Sequence, residues 1–307
     1  MQEARIVAAP EWGWWIILYF YFGGIAAGAY FIGTLIDLVG VERDRPIVKL
    51  AYYLAAPLVA ICGLLLVIDL TRPERFWHML IQSNTGLPMF KYWSPMSVGA
   101  WALLFFGLFT SASFVGALSE DGRSGLRRFS RLARYLHEGP VGTIFQVIGC
   151  LFGFFIASYT GALLTASNQP FWSDSPLIGA LFLASAASTG IAALLLIMSL
   201  RRGIPYDSVA NLERTDRWVM LLELLLLIAF VVSLGSLAPA FVGSIYGILL
   251  IAVTLALGVI VPLLLSWRTP ALGSRNTLAA AVLVLIGGLV LRYAIVMAGQ
   301  NVVVAGR

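Results

Sequence analysis

The sequence predicts an all-α integral membrane protein of eight spanning helices, and three observations carry that prediction. Hydrophobic residues make up 60% of the 307 positions, with only 20 basic and 15 acidic side chains, more apolar surface than a soluble domain can hide. Runs almost free of charge recur at 14–37, 48–69, 95–118, 141–165, 177–200, 218–239, 242–266 and 276–298. Each is long enough to cross a hydrocarbon core of roughly 30 Å as a helix. The short alternating segments of a membrane barrel are absent.

Helix ends are marked by capping residues. Ser94-Pro95, Gly139-Pro140 and Ser175-Pro176 each read as a cap followed by proline in the first turn. Pro57 and Pro262 fall inside spans, where kinks are expected. In span 1, Gly24 and Gly28 stand at small-xxx-small spacing, which predicts close approach by another helix. The first span is too long, and too far from a basic start, for a cleaved signal.

Orientation follows from Lys and Arg. The loops after spans 1, 3, 5 and 7 hold fourteen of the twenty basic residues, five of them in the run at 122–139. Those loops are expected to be cytoplasmic and both termini to face outward. The basic run is either an ordinary positive-inside loop or an amphipathic helix on anionic lipid. The net charge of +5 therefore implies lipid and no nucleic acid.

The reactive side chains are few. Cys62 and Cys150 lie in separate apolar runs without ligand spacing, so no iron–sulfur or zinc site is expected in this chain. His78 and His137 fall in loops on opposite faces, which leaves a haem without helical ligands. Charged groups inside spans are costly and are functional candidates by default. Arg292 is such a group, with a structural partnership to a carboxylate as the other reading. Glu223, about 10 Å from the inner end of span 6, and Asp37 are candidates for a proton path, since a buried carboxyl can carry a proton while neutral. A hydrogen bond to a neighbouring helix also accounts for Glu223.

Phenols, a carboxylate and a guanidinium gather near the outer ends of the spans: Tyr19, Tyr21, Asp69, Tyr159, Asn168 and Arg292. Hydrogen-bonding groups beside an apolar channel suit a lipid-borne carbonyl such as a quinone. An aromatic girdle of Trp12, Trp14, Trp15, Trp93 and Trp172 is expected at the same depth. Spans 1–4 (1–170) carry most of this polarity, and spans 5–8 (171–307) form a more apolar second four-helix bundle.

The stretches "DLTRPERFWHML" after span 2, "YFGGIAAGAYF" in span 1, "YTGALLTASNQPFW" leaving span 4 and "LRYAIVMAGQ" in span 8 resemble the polysulfide reductase membrane-subunit family, often called NrfD- or PsrC-like. The resemblance covers essentially the whole chain. It implies a haem-free membrane anchor that binds menaquinone or ubiquinone. The implied partners are a four-cluster ferredoxin-like iron–sulfur subunit and a molybdopterin catalytic subunit. By that resemblance Tyr159 and its motif companion Asn168 belong to the quinone site, and Asp69 lies near the quinone. Tyr19 stands where some members carry a histidine. Arg72, Arg75 and His78 then form the partner interface. A secondary transporter or ion-conducting protein is the competing function, although the broken helices and repeats typical of transporters are not evident.

Overall fold

A computed structural model describes residues 12–121, 139–201, 206–268 and 275–302. His137 and most of the basic run at 122–139 lie outside them. The described residues form helices, with a single isolated bridge between Ile81 and Pro88. The long helices are α1 (Trp14–Val39), α2 (Arg45–Asp69), α3 (Pro95–Glu120), α4 (Gly139–Thr165), α5 (Ile178–Leu200) and α6 (Tyr206–Ser233). A short α7 (Ala238–Val242) follows. Span 7 is built from α8 (Ile245–Leu249), a π-helical stretch Leu250–Ile260, and α9 (Val261–Arg268), and α10 (Arg275–Asn301) is the last span.

Seven of these spans are long and apolar enough to cross a membrane, and the bent α6–α7 pair raises the number to eight. The chain is a multi-pass membrane protein. Its sixth helix differs from the run expected at 218–239. It begins at Tyr206, because the polar stretch before Trp218 is itself helical, and it stops at Ser233. Gly235 then takes a left-handed φ of 54° and the chain bends by 94° into α7. Such a φ suits glycine, which has no Cβ to clash.

The centre of the protein is α1 against α5. Both are mostly buried, whereas α2, α3 and span 7 are largely exposed and present aliphatic faces outward. The small-residue stripe on α1 makes the crossing. A Cβ on Gly28 would sit 1.9 Å from the carbonyl oxygen of Ala186, and one on Gly190 would sit 2.5 Å from the backbone of Ala29. The two backbones therefore touch, as small residues at membrane helix interfaces permit. Both apolar clusters draw on α1 and α5, so these two helices join the earlier spans to the later ones.

One face carries both ends of the described chain. The backbone N–H of Trp12 donates to Gln300 Oε1 at 2.8 Å, and Gln300 Nε2 donates to the Trp12 carbonyl at 3.1 Å. Residues 70–94 lie on this face as a folded segment rather than a loose loop. Its parts are a 3₁₀ turn at Pro73–Met79 and a tight turn closed by Gln82 N–H to Leu87 O at 2.9 Å. Trp101 Nε1 holds it from α3 by donating to Met89 O at 2.9 Å. The opposite face carries the arginine-rich connections. There Arg45 bridges Asp37 and Glu120, and Lys49 lies 2.6 Å from Asp121.

Candidate functional site at the outer ends of the spans

Tyr19 and Tyr159 are brought together near the face that carries residues 70–94. Tyr19, 3% exposed, lies one and a half turns into α1, where its backbone carbonyl accepts a 3.8 Å contact from Cys62 Sγ on α2. Tyr159 on α4 is within electrostatic range of the Tyr19 phenol. Its ring stacks on Phe155 at 5.4 Å and lies over Gly99 of α3, where any Cβ would collide with the phenol oxygen at 2.2 Å. Glycine at 99 thus makes the space the tyrosine occupies. The Tyr159 hydroxyl donates to the carbonyl of Pro95 in the first turn of α3. Ser94 caps that turn, its side chain accepting from Ser97 N–H at 3.4 Å as its Ser-Pro sequence predicts. With one donor committed, the phenol oxygen keeps acceptor capacity. Leu65 and Leu164 belong to the apolar cluster that contains Tyr19 and Cys62.

Asp69 and Asn168 are arranged differently. Asp69 is the last residue of α2 and is exposed, and Asn168 is exposed three residues beyond α4. Among the described residues, no hydrogen bond or ion pair joins either to the two phenols. Arg72, just before the 3₁₀ turn, and Arg75 within it are exposed, and His78 is half-buried against Trp77 at 3.9 Å between ring centres. The same segment exposes Phe76, Trp77, Leu87, Phe90, Tyr92 and Trp93, an apolar surface that its charges alone do not announce.

No described hydrogen bond joins Arg292 to Tyr19 or Tyr159, and its guanidinium lies 6.0 Å from the centre of the Tyr21 ring. It is 1% exposed, and its guanidinium donates to Phe20 O at 3.0 Å, Ser185 Oγ at 3.2 Å and Gly288 O at 2.7 Å. Those contacts join α1, α5 and α10. Gly24 leaves room for it, since a Cβ there would lie 2.4 Å from one of its nitrogens. Glu223 lies within electrostatic range and within reach of Ser185. Asp37 belongs to a separate cluster, held by Arg45, by Tyr52 Oη at 3.1 Å and by Gln146 Nε2 at 2.7 Å. The two acids considered for a proton path therefore occupy different places.

Trp172 departs from the expected girdle. It is fully buried, donates to Ile295 O at 2.8 Å and stacks on Trp12 at 5.2 Å. The last residue of the span-4 motif thus clamps the α4–α5 connection to α10. Trp14, Trp15 and Trp93 are exposed, as a girdle requires. Asp216 lies ahead of the apolar run that hydropathy assigns to span 6, and so it is absent from the candidates above. A signal for it exists in the spacing: 213, 216, 220 and 223 fall on one helical face.

These features describe a helical membrane protein with two buried phenols near one face and a buried arginine that ties three of its helices together. The chain belongs to the polysulphide reductase NrfD family, whose model matches residues 6–305. It is 29% identical over 314 residues to one of the polysulfide reductase chains of Wolinella succinogenes, with 95% of each covered. It is 28% identical over 313 residues to protein NrfD of Escherichia coli, covering 94% of the present sequence and 95% of that one. A 107-residue stretch, 34% of the present sequence and 22% of the relative, is 34% identical to one of the selenate reductase subunits of Mesobacillus selenatarsenatis.

Proposed function

We propose that this chain is the quinone-reactive membrane anchor of a molybdopterin-type respiratory oxidoreductase, exchanging electrons with an extrinsic four-cluster ferredoxin-like iron–sulfur subunit. The observation that carries the reading is Tyr159, packed over Gly99 with the Tyr19 phenol within electrostatic range, near the face that bears the exposed 70–94 segment. A relative named as part of a polysulfide reductase, matched along nearly its whole length, supports the same reading. With the arginine-rich loops cytoplasmic, the phenols and both chain ends lie on the periplasmic side of the inner membrane. Spans 1–4 then form the quinone-binding half and spans 5–8 the supporting bundle.

The donor set fits a menaquinone or ubiquinone head group. A bound quinone supplies a couple that takes up electrons and protons together. The Tyr159 oxygen, with its proton on Pro95, accepts from a quinol hydroxyl; turned away from Pro95, it donates to a carbonyl. Tyr19 presents the second phenol, and Leu65 and Leu164 provide apolar wall for the tail. Asp69, exposed at the same face, exchanges protons with solvent, and Asn168 is exposed just beyond α4. Arg292 serves this site indirectly, by fixing the backbone of α1 at Phe20, one residue from Tyr19.

Tyr159→Phe is expected to leave the complex assembled and to slow quinone-linked turnover by about 10²-fold, the usual scale for a positioned acid–base group. Steady-state turnover of the purified complex checks this, and wild-type rates in the variant refute the assignment.

The partner surface has its own test. Arg72→Glu combined with His78→Glu places like charge where the iron–sulfur subunit is read to dock. Retention of that subunit on washed membranes should weaken at least about tenfold, equivalent to ~1.4 kcal/mol. Undiminished copurification after a high-salt wash would move the docking site elsewhere.

A further inference from the structure

One face of α6 carries polar groups that the quinone reading leaves unused. Glu213, Asp216 and Glu223 follow one another along it. Near the arginine-rich face it borders a cavity of about 30 Å³ whose polar lining is Glu213, Asp216, Ser266, Asn276 and Thr277. That volume holds one water-sized occupant. Asp216 is 7% exposed, and its buried Oδ1 has no hydrogen-bond partner. An orphaned carboxylate oxygen in such a place costs several kcal/mol unless the group is neutral or holds a ligand.

The neighbours of Asp216 decide between those two. On its own helix they are acids, Glu213 and Glu223. From α5 comes Leu195; from α9 come Pro262, Leu265 and Ser266; from α10 come Asn276, Thr277 and two alanines. All of these are neutral. Arg217 acts on Glu213 and Arg292 on Glu223, and neither bonds Asp216 among the described contacts. Thr277 donates its hydroxyl proton to Glu213 at 3.0 Å, and Ser266 donates to Leu263 O at 2.8 Å. Among the described residues, no three acidic, histidine or cysteine side chains converge as a metal set. A metal cation wants many oxygen ligands, whereas a proton neutralises a lone carboxylate by itself.

We propose that Asp216 and its cavity form a proton-loading site opening towards the arginine-rich face. A hydronium ion reaching the cavity gives its proton to the Asp216 carboxylate and leaves as water, so Asp216 holds one proton as a neutral carboxyl. Polar groups continue inward from there. Glu223 stands about 10 Å further along α6 by helical rise. Beyond it come Ser185, Arg292 and the Phe20 carbonyl on α1. The assignment is independent of the quinone reading, because it concerns this chain without turnover.

The test is infrared difference spectroscopy on the full-length chain in detergent, stepped from acid to alkaline pH, with aspartate labelled by ¹³C at the side-chain carboxyl. A protonated-carboxyl band that shifts with the label should appear, disappear in Asp216→Asn and persist in Glu223→Gln. Where Asp216→Asn fails to survive extraction, Asp216→Glu decides: a titrating band should remain but lose its sensitivity to labelled aspartate. A wild-type band blind to the label, or one unchanged in Asp216→Asn, overturns the proposal. Loss of the band on adding sodium at constant pH also overturns it, in favour of a metal-cation site.

Discussion

Leucine in place of Gly28 is expected to remove the folded protein from membranes almost entirely. The Cβ alone would stand 1.9 Å from the Ala186 carbonyl oxygen, a backbone atom that no rotamer change can move. The helices must separate, and the reciprocal contact at Gly190 separates with them. Ordinary overpacking costs about 1–3 kcal/mol; here the clash lies between the two most buried helices, so the loss should exceed that range. Gly190→Leu should behave alike. Gly63→Ala is the control, since nothing stands within 4 Å of its added Cβ, and it should change stability by less than ~0.5 kcal/mol. Monodisperse yield after extraction, with thermal unfolding in detergent, measures all three. Normal yield of Gly28→Leu would mean that α1 and α5 are not in backbone contact.

Removing the Arg292 guanidinium should be nearly as damaging, for a different reason. Arg292→Met leaves the Phe20 carbonyl without that donor and leaves Glu223 without its nearest described cation. Each buried acceptor left unsatisfied when its donor is removed costs on the order of 1–3 kcal/mol, and the guanidinium serves three of them. Arg292→Lys should recover little, because one ammonium cannot reproduce a planar fork that reaches α1, α5 and α10 together. Adding Glu223→Gln to Arg292→Met should restore a large part of the loss by removing the stranded charge. A double-mutant cycle in thermal stability reads this coupling. Strict additivity of the two substitutions would separate Glu223 from Arg292.

Much of this architecture is legible in hydropathy alone, because lipid selects for long uncharged runs. The Gly24–Gly28 stripe also announces a close approach, although only the structure shows that Gly28 meets α5 while Gly24 shelters Arg292. Span 6 is harder. A window average discards Glu213 and Asp216 as loop, yet their spacing matches the helical period that continues to Glu223. Trp172 misleads for a related reason: tryptophan near a span end suggests the interface, whereas this ring is buried beneath Trp12. In the candidate site, the residue types point to Tyr159. Its partner Pro95, 64 positions away, follows from how α3 and α4 pack.

The mutual hydrogen bonds of Trp12 and Gln300 carry a topological consequence. A chain that returns to touch its own starting face has made an even number of passages. Seven helices meet the demands of length and apolarity unaided, and seven is odd. Parity therefore requires Tyr206–Ser233 to be a passage in its own right, whatever its polar first turns suggest, and α7 to be none. Asp216 and Glu223 then belong to a crossing element rather than to a loop. Reporters placed next to Trp12 and Gln300 must always give the same answer about sidedness, and one placed at Arg201, the exposed residue that caps the end of α5, must give the opposite.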